Sequence, residues 1–121
     1  MSIISTILIV LVSLEFFFIM YLETIKPTSD QTSRVFSISK KKLEDHNIQT
    51  LLKNQGVYNG LIGVMLLYDA FISENPKEIS LMLLIFIIGV AIYGGISSDK
   101  SIFFKQGTLP IIAVLSILFL A

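Results

Sequence analysis

The sequence predicts an all-α integral membrane protein: a four-helix bundle with both termini outside and one long cytoplasmic loop between the first two helices. Three observations lead there. Hydrophobic residues make up 54% of the chain and charged residues 15%, against about 25% charge in an ordinary soluble domain. The mean hydropathy is +0.81. The apolar residues gather into four long runs, and the basic residues fall almost entirely on one side of them.

A helix needs about 20 apolar residues to cross the hydrocarbon core. The first run, Ile3–Leu22, is interrupted only by Glu15. It lacks the basic start and the small-residue cleavage site of a signal peptide, and is read as a retained helix. The second, Leu51–Ile72, is polar at its start and apolar after Leu61. The third is Ile79–Ile96. The fourth, Ile102–Leu120, carries Gln106 near its start and Pro110 one turn further on. A chain of 121 residues is expected to form a single domain over 1–121.

Charge sets the orientation. Lys26, Arg34, Lys40, Lys41, Lys42 and Lys53 lie in or beside the first loop, and Lys100 and Lys105 in or beside the third. Only Lys77 lies on the other side, so eight of the nine basic residues share one face. The positive-inside rule makes that face cytoplasmic, and the location becomes a multi-pass protein of the plasma membrane. In the long loop, Pro27 ends the first helix and Thr28–Ser33 reads as a polar turn. Ser39 is placed to cap a helix that begins at Lys40 and runs into the second span. Lys40–Lys42 would then sit near anionic headgroups; a solvated basic turn is the alternative.

This topology brings the polar residues to one level. Glu15 falls in the inner half of span one and Glu23 at its cytoplasmic boundary. Asn54, Gln55, Tyr58 and Asn59 fall in the inner half of span two, Tyr93 near the inner end of span three, and Gln106 in the inner half of span four. Tyr68 and Asp69 belong to the outer interface. Each unpaired polar group facing lipid costs several kcal/mol, so these eight residues are expected to line a shared pocket. Gln55 and Asn59 are i,i+4 neighbours, as are Asn54 and Tyr58, and Glu15 and Glu23 are near two full turns apart. Glu15, the deepest acid, is expected to be protonated or hydrogen-bonded to Asn54, Gln55, Asn59 or Gln106. Gly56, Gly60 and Gly63 form a small-residue strip of the kind that admits a neighbouring helix. Gly89, Gly94 and Gly95 offer a second such strip on span three.

Several chemistries are excluded. There is no cysteine and a single histidine, so thiol chemistry is absent and Asp45-His46 makes no metal site. The net charge is zero, which argues against a nucleic-acid partner. No phosphate-binding glycine loop, zinc motif or nucleophile elbow occurs. The sequence therefore implies no cofactor and no metal, and assigns no catalytic residue.

Ordered features across residues 15–110 resemble a known family. They are Glu15 and Glu23 around the end of helix one, Phe36 in the loop, and the run Asn54-Gln55-Gly56-Val57-Tyr58-Asn59-Gly60. Ile92-Tyr93-Gly94 follows on helix three, then Phe103, Gln106, Gly107 and Pro110 on helix four. The pattern resembles the small bacterial four-helix membrane proteins grouped as domain of unknown function 1304. The resemblance implies a four-helix integral membrane protein and supplies no activity; a likeness to the DoxX-like group is one of fold alone.

The leading functional expectation is a protein that binds or carries a small amphipathic molecule or lipid in the cytoplasm-side pocket. Three alternatives stand beside it. One is a scaffold or partner subunit whose polar groups serve assembly alone. Another is a proton-coupled exporter, as in small multidrug transporters with a glutamate in helix one; the long first loop and the charge asymmetry argue against it. The last is a membrane enzyme with Glu15 as acid/base, and the weight of the reading leans away from an enzyme. The lipid bilayer is the expected partner in each case, and the oligomeric state is left open.

Overall fold

The computed structural model describes residues 1–120, and every regular element in them is a helix. Helix α1, Ile3–Met20, starts at Ser2, whose hydroxyl accepts from the Ser5 N–H at 3.1 Å. It does not stop at Leu22 but widens into one π turn, Tyr21–Ile25, closed by the Lys26 N–H donating to Tyr21 O at 3.0 Å. Pro27 follows and, with no N–H to donate, ends the helix. Then come α2 (Asp30–Phe36), α3 (Lys40–Leu43), α4 (His46–Phe71), α5 (Pro76–Ser97) and α6 (Lys100–Leu120).

The first loop differs from its sequence reading in two places. The segment read as a polar turn is mostly helix α2, because Ser29 caps it by accepting from the Thr32 N–H at 3.1 Å. The helix capped by Ser39 lasts one turn and does not run into α4. Asp45 interrupts it with its own cap, accepting from the N–H groups of Asn47 and Ile48 at 2.8 and 3.4 Å. A side chain that satisfies N–H groups ahead of it starts a new helix more readily than it sits inside an old one.

The loop folds back as a strap. Phe36 packs on Ile19 and Leu22. The Thr32 hydroxyl donates to Leu22 O and Lys26 O at 3.1 and 2.6 Å, supplying a donor beside the π turn. Ser37, in the left-handed region at φ 56°, ends α2. Its hydroxyl donates to Asp99 Oδ2 at 2.9 Å, and Lys105 Nζ donates to the Arg34 and Val35 carbonyls at 3.2 and 3.1 Å. Asp99 is held below the usual carboxylate range, first by the Ser101 backbone N–H and then by Ser37.

Three helices are long and apolar enough to cross a membrane: Ile3–Ile25, Pro76–Ser97 and Lys100–Leu120. Helix α4 has the length, 26 residues, but its polar first half and Asp69 dilute it. The outward faces of all four long helices are apolar, with Ile7, Leu14, Val64, Met82, Ile85 and Leu118 about half or more exposed. Such a continuous apolar surface is foreign to a soluble monomer and compatible with a bilayer.

Each long helix touches two others: α1 packs on α4 and α6, and α5 joins α4 to α6. Ile9, Val12, Phe16, Leu66, Leu84, Ile87, Ala113 and Ile117, drawn from all four, form the buried apolar centre. The closest approach is between α1 and α4. A Cβ added at Gly56 would lie 3.1 Å from Glu23 Cβ and 3.0 Å from Thr24 N, and would collide with the Thr24 hydroxyl. At Gly60 it would collide with Met20 Sδ; at Gly63 it would lie 2.9 Å from the Phe17 ring and 3.1 Å from Ser13 O. Thr24 Oγ1 also donates to Lys53 O at 3.0 Å. On α5, Gly94 and Gly95 face Ile102 and Phe103 of α6, whereas Gly89 has nothing within 4 Å. Gly89 therefore does not belong to a packing strip, contrary to its sequence reading. Far along the bundle axis, the hydroxyls of Ser5 and Ser116 join α1 to α6 at 2.8 Å.

Gly56→Ala is expected to destabilise by about 1–3 kcal/mol, because the backbone of Thr24 cannot move aside as a flexible side chain can. Gly89→Ala is expected to be neutral or to stabilise by up to about 1 kcal/mol, since it only removes backbone freedom from the unfolded chain. Thermal unfolding of the two variants in detergent separates these outcomes, and equal midpoints would remove the seam's special role.

Candidate functional site

Glu23 lies in the π turn with no exposed surface. Gln55 Nε2 donates to its Oε2 at 2.7 Å, and Asn59 Nδ2 donates to its Oε1 at 2.6 Å. Both carboxylate oxygens are thus taken by amides one helical turn apart on α4, an arrangement in which the carboxyl group acts only as acceptor. These bonds follow from the glycine seam. Gly56 sits opposite Thr24 and Gly60 opposite Met20, so Glu23 falls level with the interval between Gln55 and Asn59.

Behind the clamp lies a cavity of about 380 Å³ with walls from all four long helices. Gln55, Tyr58 and Asn59 from α4 and Gln106 from α6 supply its polar lining. Phe16 and Ile19 from α1, and Phe86, Ile87 and Val90 from α5, supply the apolar lining. Tyr58 is 71% exposed and Phe86 53%, so the cavity opens sideways between α4 and α5. Each clamp amide gives its N–H to Glu23, and among the described residues no hydrogen bond reaches the carbonyl oxygen of either. The chamber therefore offers acceptors. A larger groove, about 450 Å³ between α5 and α6, is lined by Ile92, Gly95, Ile96, Phe103, Phe104 and Lys100. It has one cation at its edge and no convergent polar groups, and reads as a lipid-facing furrow.

The structure sorts the eight expected pocket residues into two groups. Glu23, Gln55 and Asn59 are hydrogen-bonded together, and Tyr58 and Gln106 share the cavity with the two amides. Glu15, Asn54 and Tyr93 do not line it; Asn54 is exposed and Tyr93 is 71% exposed. The expected bond from Glu15 to Asn54, Gln55, Asn59 or Gln106 is absent, and Glu15 Oε1 is buried without a partner. For the α4 amides the reason is axial distance: eight residues at 1.5 Å each put Glu15 about 12 Å from the level of Glu23, which Gln55 and Asn59 hold. Asp69 lies two residues from the end of α4, the level its sequence reading gave it, and is buried there. It is 1% exposed, and Ser80 donates to its Oδ2. The apolar cavity wall was not singled out in the sequence. Nothing distinguishes Phe16 or Val90 from other apolar residues in a run, although the i,i+4 amide pair already has the spacing that suits one carboxylate.

With this geometry in view, the chain can be set beside known proteins. Residues 10–118 match the family described as Protein of unknown function (DUF1304). The chain belongs to that family. It is 53% identical over 119 residues to the "Uncharacterized protein YpaA" of Lactococcus lactis subsp. lactis (strain IL1403), an alignment that covers 98% of this chain and 100% of the relative. No solved structure matches it. The family match spans Glu15, Glu23, Gln55, Asn59 and Gln106 alike.

Glu23→Gln replaces one acceptor oxygen by a second N–H2 group facing the amides. It is expected to cost about 1–3 kcal/mol, the penalty of an unsatisfied buried donor. Glu15→Gln removes a carboxylate with no partner and is expected to leave stability unchanged or raise it. Unfolding midpoints of the two variants, measured side by side in detergent, check the assignment.

Proposed function

We propose that this is a multi-pass plasma-membrane protein of a single domain, in which α1, α4, α5 and α6 cross the bilayer as a four-helix bundle and the cavity behind Glu23 binds or carries a small amphipathic molecule or lipid. The observation that supports this most is the pairing of a fully buried carboxylate, clamped by Gln55 and Asn59, with a lateral cavity that the same amides line. Glu23 holds both amides through their N–H groups, which leaves carbonyl acceptors for a ligand that carries O–H or N–H donors. The aromatic and aliphatic wall suits its apolar body. The concentration of Lys and Arg at the strap end supports a cytoplasmic position for that end, with both termini outside.

A second reading keeps the same residues as pure assembly glue, the chain serving as a scaffold or partner subunit. The complete use of both Glu23 oxygens within the chain favours it. Roles for Glu15 as enzymatic acid/base or exporter proton carrier draw no support from a side chain that does not line the cavity and bonds to none of the amides among the described residues.

Two experiments test the proposal. The chain has no cysteine, so single cysteines report topology without background. A membrane-impermeant maleimide applied to intact cells is expected to label Glu74→Cys and to spare Thr28→Cys; the reverse pattern would invert the topology. For binding, a monoacylglycerol and a long-chain alcohol are expected to raise the unfolding midpoint of the wild type, while an alkane of equal length does not. Asn59→Leu is expected to abolish the difference. No shift across the panel, with Asn59→Leu unable to fold, would transfer support to the scaffold.

A further inference from the structure

The charge on Glu23 decides which atoms of the amide clamp a ligand meets. A carboxylate has no proton to give, so both amides must turn their N–H groups toward it. The bonds from Gln55 Nε2 and Asn59 Nδ2 follow that rule. What remains for the cavity, which both residues line, is the amide oxygens. Asn59 is half-buried, and its oxygen has no hydrogen-bond partner among the described residues and is not sealed from its surroundings.

A proton on Glu23 upsets this arrangement. One carboxyl oxygen then carries an O–H that meets an amide N–H, donor against donor. Half a turn about the last side-chain torsion of Asn59 or Gln55 repairs it. That torsion is broad and roughly two-fold, and the turn exchanges oxygen and nitrogen without moving a helix. The amide oxygen then accepts from Glu23, and the amide nitrogen swings toward the cavity. The proton comes from solvent, and no neighbouring charge takes its place. The π turn packs on α1, α4 and α2. Lys53 and Tyr58 on α4, Asp30 and Arg34 on α2, and Tyr21 and Lys26 beside Glu23 in the chain are all exposed. Among the described residues none of them pairs with the buried carboxylate. The titratable group of α1, Glu15, lies about 12 Å away along the axis.

We propose that Glu23 is a proton switch on the ligand preference of the cavity beside it. As a carboxylate it keeps amide oxygens toward the cavity, which suits a headgroup with O–H or N–H donors. Once protonated it turns one amide N–H2 toward the cavity, which suits a headgroup that only accepts, such as a ketone or ester carbonyl. The inference rests on the reading of this cavity as a binding site. Linkage makes the effect reciprocal: an acceptor-only ligand draws a proton onto Glu23.

Calorimetric titration of the full chain in detergent tests it, with a methyl ketone and a primary alcohol of equal chain length as probes. The measurements are made at about pH 8 and about pH 5, on either side of the range in which perturbed carboxyl groups titrate. Wild type is expected to bind the ketone roughly tenfold more tightly at the lower pH, the scale of one hydrogen bond, with a much smaller change for the alcohol. Glu23→Gln imitates the protonated acid, because its carbonyl accepts from one amide and its N–H2 requires the other to turn. It is expected to bind the ketone tightly at both pH values; its second N–H stays unpaired and carries the stability cost given above. Glu15→Gln is expected to keep the wild-type shift. So is His46→Gln, which removes an exposed group that titrates in the same span. If Glu23→Gln does not fold, infrared spectra of the wild type carry the test. Ketone, but not alcohol, is expected to raise the protonated-carboxyl band, in wild type and Glu15→Gln alike. Failure of both probes to bind at either pH overturns the cavity reading and this inference with it. Binding of both with a ketone affinity that ignores pH, a pH shift that survives in Glu23→Gln, or ketone binding without an infrared change overturns the switch alone.

Discussion

The antiparallel register of α1 and α4 governs the rest of the molecule. Three glycines on α4 meet Thr24, Met20 and Phe17 on α1 in strict sequence, each with no space for a Cβ. A slip of one residue would place side-chain carbon against backbone. Fixed in this way, the register decides which acid on α1 meets the amides on α4, and it selects Glu23. It also brings Phe16 and Ile19 to the cavity that Gln55 and Asn59 line. Apolar burial alone would not set such a register between helices with apolar faces all round, because a lipid tail is as good a neighbour as a leucine. Steric fit at the glycines and the two amide bonds are what distinguish one alignment from its neighbours.

Much of this arrangement was legible in the chain. The apolar runs gave the long helices within a few residues, since 18 or more apolar residues leave few other structures open. The amide run announced polar groups that needed partners. The partner was misread because depth was judged from the nominal end of the first run at Leu22. The helix continues three residues further through a wider turn, and α4 begins at His46, five residues before the apolar span that starts at Leu51. Both helices extend toward the strap, so Glu23 gains a level inside the packed region, opposite Gln55 and Asn59. Ser29 and Asp45 were not singled out as caps, because whether a polar stretch becomes helix or turn depends on what it packs against. The contact of Phe36 with Ile19 and Leu22 is a tertiary fact.

Three carboxylates within the packed helices show three different solutions to burial. Glu23 is satisfied twice, by amides on another helix. Asp69 is satisfied once, by a serine across a hairpin. Glu15 has no hydrogen bond in the described residues. Their surroundings differ too: the first lies beside a chamber with mixed lining and the second beside an apolar one. A fully bonded acid fixes the side chains around it, and a half-bonded one keeps an acceptor free.

The π turn at Tyr21–Ile25 has a consequence for how α1 can vary. A π turn accommodates one more residue than the α-helix it interrupts, so it shifts the angular phase of everything after it without moving what came before. Helix α1 thereby behaves as two cogs on one shaft. The first is meshed to α6 through Ser5 and Ser116 and to α4 through Phe17 and Met20, the second to α4 through Glu23 and Thr24. A residue added or removed at the junction would therefore turn the Glu23 end alone, while Ser5, Phe17 and Met20 stay in mesh.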